Sequence, residues 1–171
     1  MGILVMDTIL RSHNGVKRCG PEDATAVLRV LTDPAVYEAT SDDHSGLPEE
    51  FTVDPILATD ALYVLMPSPD SVFIFNAWNT ICWEVHSNVL PSERGPQAIK
   101  LTTAVREWMF NNTPCRKIVT HVPSYNRPAL ALAIRSGMKR EGVNRLSFLK
   151  RGNLYDQIIL GLCKEVDQCP Q

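Results

Sequence analysis

The sequence predicts one α/β domain of the α+β kind, in which an antiparallel three-strand meander lies between a helical N-terminal region and a helix-strand-helix-strand-strand C-terminal half. Three observations predict it. Residues 61–90 hold three β-rich runs, ALYVLM, SVFIFNAW and TICWEVHSNVL, separated by turn residues. After Gly95 the period changes: Ala98, Leu101, Val105, Trp108 and Met109 recur at helical spacing. The whole is 171 residues, a length that fits one domain (residues 1–171) and buries about two-thirds of the unfolded chain's surface.

Taken in order, the chain opens with two apolar-rich runs flanking Asn14 and Gly15, the signal for a strand hairpin. Pro21, Glu22 and Asp23 suit the first turn of a helix whose apolar face carries Ala24, Val27, Leu28 and Leu31. Asp33 and Pro34 break it, and a second short helix follows through Thr40. Residues 41–55, SDDHSGLPEEFTVDP, are acid-rich and interrupted by two prolines, which predicts a loop long enough to have a function. The three strands come next. The helix after Gly95 stops at NNTP, KIVTHV reads as a short buried strand, and a further helix is capped by Asn126 and ended by Gly137, with Leu130 and Ile134 on its core side. Two strands around VNRLSFLKR and LYDQIILGLC, turning at Gly152 and Asn153, complete the fold.

Composition excludes several classes. A formal net charge of −2 with interspersed signs offers no basic stripe for nucleic acid. No apolar run approaches the ~20 residues of a membrane span. The opening MGILVMDTILR lacks the basic flank and cleavage site of a signal peptide, which predicts a soluble cytoplasmic protein. Five cysteines without a CxxC pair and four scattered histidines predict neither a disulfide framework nor a metal site. Trp78, Trp83 and Trp108 read as core residues.

The informative segment is WEVHSNVLPSERGPQA, residues 83–98. On a strand, Glu84, His86 and Asn88 project to one face. If that face lines a cleft, Glu84 is a candidate base for an ammonium substrate once partial burial raises its pKa, and His86 can share the role. The bland alternative is a hydrogen-bonded polar pair. Gly95 as cap and Pro96 at the first helical position make a helix start that can bind an anion or merely begin a helix.

This segment, with NRPALALAIRSGMKREG and GNLYDQIILGL, resembles the GNAT N-acetyltransferase superfamily over residues 82–162, within a motif-bearing core of about 61–162. It looks most like the branch that acetylates protein N-termini, with a glutamate seven residues before a proline and then the glycine turn. The short form and altered phosphate loop also resemble GNAT-like proteins of tailed bacteriophages. The resemblance implies a mixed, mostly antiparallel twisted sheet of about six or seven strands, flanked by about four helices and splayed between strands 4 and 5. It implies acetyl-CoA as co-substrate, held by Arg94, Gly95, Gln97, Ala98 and Asn126, with Val89 and Leu90 amides receiving the oxyanion. Glu84 and His86 would be catalytic, and Asp42, Asp43 and His44 would form a substrate-side loop that attracts a cationic amine. The acceptor would be a protein N-terminus, a lysine or a small amine, and the chain a monomer or homodimer.

The aligned phosphate loop departs from the family pattern. Pro96 has no N–H and Gln97 adds a side chain where the family keeps glycine or alanine. Ala133 stands where many GNAT enzymes carry a tyrosine acid, which leaves Tyr125 and Tyr155 for that part, although a thiolate with an ordinary pKa of about 8.5 needs little help to leave. Two readings therefore stay open: an N-acetyltransferase, and a GNAT-fold binding protein without catalysis, such as a phage factor engaging a host protein or aiding virion assembly.

Overall fold

The computed structural model describes residues 12, 13 and 15–165. The first apolar run, Asn14 and Cys169 lie outside them. Among the described residues eight strands form one sheet in the order β1-β2-β3-β4-β5-β6-β8-β7. They are β1 (Ser12–His13), β2 (Val16–Arg18), β3 (Leu62–Ser68), β4 (Ser71–Ala77), β5 (Cys82–Val89), β6 (Lys117–Pro123), β7 (Lys139–Lys150) and β8 (Asn153–Cys163). The two-residue β1 takes the count past the six or seven expected. All neighbours are antiparallel except β5 and β6.

Among the described residues five α-helices accompany the sheet: α1 (Ala24–Leu31), α2 (Pro34–Thr40), α3 (Asp54–Leu57), α4 (Pro96–Asn112) and α5 (Arg127–Arg135). Proline sits at or beside the first position of α2, α3, α4 and α5, where its missing N–H costs nothing and its fixed φ is already helical. Asp33 caps α2 through the Ala35 amide at 2.9 Å, and Asn126 caps α5 through Ala129 at 3.2 Å. Residues 41–55 are not a plain loop. They contain a 3-10 turn at Pro48–Glu50 and the start of α3, because each proline supplies a helical φ at a first-turn position.

Strand alternation splits the core in two. On one face Leu65, Phe73, Phe75, Trp83 and Val85 meet Ala98, Leu101, Val105, Trp108 and Met109 of α4, the apolar set that the spacing predicts. On the other, Val64, Met66 and Val72 pack under Val27, Val30 and Leu31 of α1. One expectation fails on α5: Ile134 is 59% exposed, and Ala133 is the buried residue. Ala129 and Ala133, one turn apart, face the core, and Ile134 falls about 100° away from Ala133 around the helix.

Helix α2 is tied down by polar bonds. The Lys150 ammonium, 9% exposed as a residue, donates to the carbonyls of Glu38 and Ser41 at 2.8 Å each and to Ser41 Oγ at 3.1 Å. A cation at the carboxyl end of a helix also meets the negative end of its dipole. Asn126 Nδ2 donates to the Ala39 carbonyl and Arg94 Nη2 to that of Ala35, each at 3.3 Å. At the neighbouring turn Arg151 (φ +50°) and Gly152 (φ +72°) form the paired left-handed corner of a tight hairpin. Replacing Lys150 by Met leaves the α2 carbonyls short of donors and is expected to cost about 2 kcal/mol. Urea unfolding measures it, and an unchanged midpoint would contradict the clamp.

Candidate active site

β5 and β6 pair in register only at Cys82 with Lys117, Trp83 with Ile118 and Glu84 with Val119. Both strands run on, β5 still paired to β4 and β6 to β8, so their facing edges separate beyond Glu84. This is the splay expected between strands 4 and 5, numbered one higher because β1 is counted. A cleft of about 260 Å³ fills the gap, lined by Glu84, His86, Asn88, His121, Asn126 and Ala133 among others. A second of about 290 Å³ adjoins it through shared walls at Thr40, Asn88 and Asn126, and reaches Arg94, Gly95, Ala98 and Arg135.

Glu84, the last paired residue, stands where the gap begins. Its partner in register is Val119, and His121, two residues on, shares that face of the sheet. His121 Nδ1 lies 2.8 Å from Glu84 Oε1. Trp78 Nε1 donates to Glu84 Oε2 at 3.1 Å, and its indole lies 5.5 Å from the His121 ring at 31°. Trp78 is thus not a core residue. It is 54% exposed, because its place in the β4–β5 turn sends the indole across Glu84 and His121. Trp83 and Trp108 are buried as expected. Sequence reading missed His121 and Trp78 as site residues, and no spacing signal in KIVTHV marks the histidine.

Burial pushes the Glu84 carboxyl up, but the hydrogen bonds from His121 and Trp78 and the neighbouring imidazoles outweigh it and hold the pKa below the ordinary value. The rise that sequence reasoning requires of a Glu84 base is therefore not what this environment produces. His86 keeps accessible surface because it faces the cleft, yet the surrounding walls desolvate it. Desolvation, assisted by His121 and opposed by Glu84, lowers its pKa.

At the mouth, Gly95 has φ +81° and ψ −138°, a conformation open essentially to glycine, and a Cβ there would meet nothing within 4 Å. The backbone, not a close neighbour, demands the glycine. The turn before it is anchored by Ser92 Oγ to Asp70 at 3.0 Å and by Ser68 Oγ to Glu93. Gln97 follows Pro96 on the exposed start of α4, and Ala98 is buried beneath it.

Leu90 does not serve as an oxyanion donor: its N–H is taken by the Asp70 carbonyl at 3.0 Å. By alternation, the Val89 N–H and C=O face the open edge, and Arg94 Nε bonds that carbonyl at 3.3 Å. Asn126 spends its side chain on the Ala129 amide and the Ala39 carbonyl while lining both clefts. Tyr125 and Tyr155 meet edge to face, ring centroids 4.8 Å apart, and neither is among the residues lining either cleft.

The predicted substrate-side loop is drawn into structure. Asp43 accepts from the Arg151 and Gly152 amides, which hold its pKa low, and Asp42 accepts from His44 and Ser45. His44 is exposed, and none of the three lines either cleft. Among the described residues no cluster of three His, Cys, Asp or Glu is placed to hold a metal, and no helix is long and apolar enough to cross a membrane.

No protein-family model and no curated protein sequence matches the chain. Solved structures do. The ribosomal-protein-S5-alanine acetyltransferase of Vibrio fischeri is similar at 14% identity and TM-score 0.71, over 91% of this chain and 94% of that one. The Vibrio cholerae spermidine N-acetyltransferase, solved with CoA and spermine, is similar at 15% identity and TM-score 0.70, over 86% and 94%. Mycobacterium smegmatis RimJ, solved with CoA-disulfide, is similar at 14% and 0.71, over 90% and 83%. The shared property is the GNAT acetyltransferase fold. None of the three is described as a bacteriophage protein, and the phage and host-partner expectation gains no support from them.

Two outcomes are expected. The unfolded state protonates His86 before the folded state does, so its contribution to stability is complete above about pH 6.5 and is lost as pH falls below it. Wild type should therefore lose more stability than His86→Gln between about pH 7 and pH 5, with the His86 ring titrating below about 6.5 by NMR. Gly95→Ala should cost about 1–3 kcal/mol through backbone strain alone, measured by urea unfolding.

Proposed function

We propose that the chain is a GNAT-family N-acyltransferase that transfers acetyl from acetyl-CoA to an amine. The observation that carries this is the β5–β6 gap, with ionisable groups at its closed end and, at its mouth, a mainly apolar cleft that carries two arginines. Arg94 and Arg135 line that mouth, and Arg135 makes no ion pair among the described residues. Two guanidinium groups beside a helix N-terminus suit the phosphates of a CoA ester, although Pro96 removes one amide.

The residues divide the work. The Val89 N–H faces the gap and is the backbone donor for a developing oxyanion. The Glu84, His86 and His121 group lies where an amine meeting a thioester in the gap must lose a proton. Acetyl-CoA, when bound, supplies the activated carbonyl. The motif EVHSNVLPSERGPQA supports a protein N-terminus as acceptor, within the branch that acetylates protein N-termini; a lysine or small amine is the alternative acceptor.

A second reading, a binding protein on the same fold, is favoured by one observation: α4 begins Pro-Gln, with one amide missing and a side chain added at the phosphate turn. Titration calorimetry separates the two. Wild type should bind acetyl-CoA saturably, and Arg135→Glu should weaken binding by tenfold or more, about 1.4 kcal/mol. No heat at millimolar acetyl-CoA would end the acyltransferase reading.

A further inference from the structure

Both oxygens of the Glu84 carboxylate are already engaged, Oε1 by His121 Nδ1 and Oε2 by Trp78 Nε1. An ionised carboxylate only accepts hydrogen bonds, so Nδ1 carries the proton. In the neutral ring that leaves the lone pair on Nε2. Nε2 has no partner among the described residues, and it is not among the buried atoms lacking one, so it is open. His121 lines the cleft, and the indole of Trp78 fixes the ring from one side.

We propose that His121, through Nε2, is the proton acceptor for the amine substrate, and that Glu84 and Trp78 are positioning residues that set its tautomer and orientation. This rests on the acyltransferase reading. The chemistry is that of an imidazole held by a carboxylate on one nitrogen and basic on the other. A carboxylate held low by two donors is a poor base near neutrality, whereas imidazole as a class takes up and returns protons there.

The step balances. His121 Nε2 takes one proton from the substrate ammonium. The freed nitrogen pair forms the C–N bond to the thioester carbonyl, the C–S bond breaks, and its electrons leave on sulfur. The nitrogen's second proton passes to water, and protonated His121 returns its proton to the thiolate. No oxidant or further co-reactant is needed. His86 lies on the same face but has no carboxylate bond to fix it.

The experiment uses the full chain with acetyl-CoA and two acceptors, spermidine and a peptide with a free N-terminus. His121→Gly is expected to lower turnover about 100-fold or more while leaving acetyl-CoA affinity within about twofold, and added imidazole is expected to restore part of it. Glu84→Gln should lower turnover without imidazole rescue. In nitrogen-15 NMR, His121 should carry its proton on Nδ1 in wild type and lose that preference in Glu84→Gln. Turnover retained in His121→Gly, rescue of His86→Gly instead, or a His121 proton on Nε2 would each overturn the assignment and leave the acyltransferase reading standing. A wild type that neither binds nor consumes acetyl-CoA overturns both.

Discussion

Beyond three residue pairs, β5 and β6 stop bonding to one another, and the rest of the molecule is arranged around that interruption. Backbone groups on a strand edge inside a protein need partners. Arg94 supplies one by bonding the Val89 carbonyl, and the same guanidinium reaches across to Ala35 on α2. Asn126 caps α5 on one side of the gap and holds Ala39 on the other. Lys150 secures the end of α2 from β7. The cleft is thus kept open by polar bonds from three separate elements to one short helix, whereas the sheet on either side is held by ladders and apolar packing.

The chemistry follows from where the pairing ends. Glu84 is the last residue in register, so it is half in the sheet and half in the cleft. Two donors compensate its burial, and it remains charged where an unpaired carboxyl would be pushed toward neutrality. That negative charge in turn orients His121. At the other end the charges are positive and the backbone is forced into a glycine-only conformation. In the proposed function, an anion at the mouth and a proton exchange at the vertex would be served by opposite ends of one opening.

Local patterns made much of the fold legible. The apolar positions of α4 were readable because seventeen residues give the helical period time to declare itself. Gly95 was readable as the helix start because Pro96 follows it at the first helical position. The nine-residue α5 was less so: Leu130 packs against the core as its spacing suggests, with Ala129, Leu132 and Ala133, but Ile134, more apolar than Ala133, points out. Trp78 misled in the same way, since indole hydrophobicity outweighed its place in a turn. The resemblance implies Leu90 as an amide donor, and nothing in the sequence corrects it, because alternation gives no hint of which edge a strand leaves unpaired. Asp42 and Asp43 read as part of a substrate-side loop, yet Asp42 accepts from its neighbours His44 and Ser45 and Asp43 accepts from the amides of Arg151 and Gly152, far along the chain.

By itself, the sequence determined the order of strands and helices, the face shared by Glu84, His86 and Asn88, and the glycine turn that begins α4. Those depend on neighbours a few residues away, through backbone preference and periodicity. Only the tertiary structure decided that β5 and β6 separate after Glu84, that Leu90 is spent on β4's side while Val89 is not, and that His121 and Trp78 enclose the Glu84 carboxylate. Glu84 and His121 are 37 residues apart. Their contact arises from parallel strand register, which a helix between the strands permits and which no local pattern encodes.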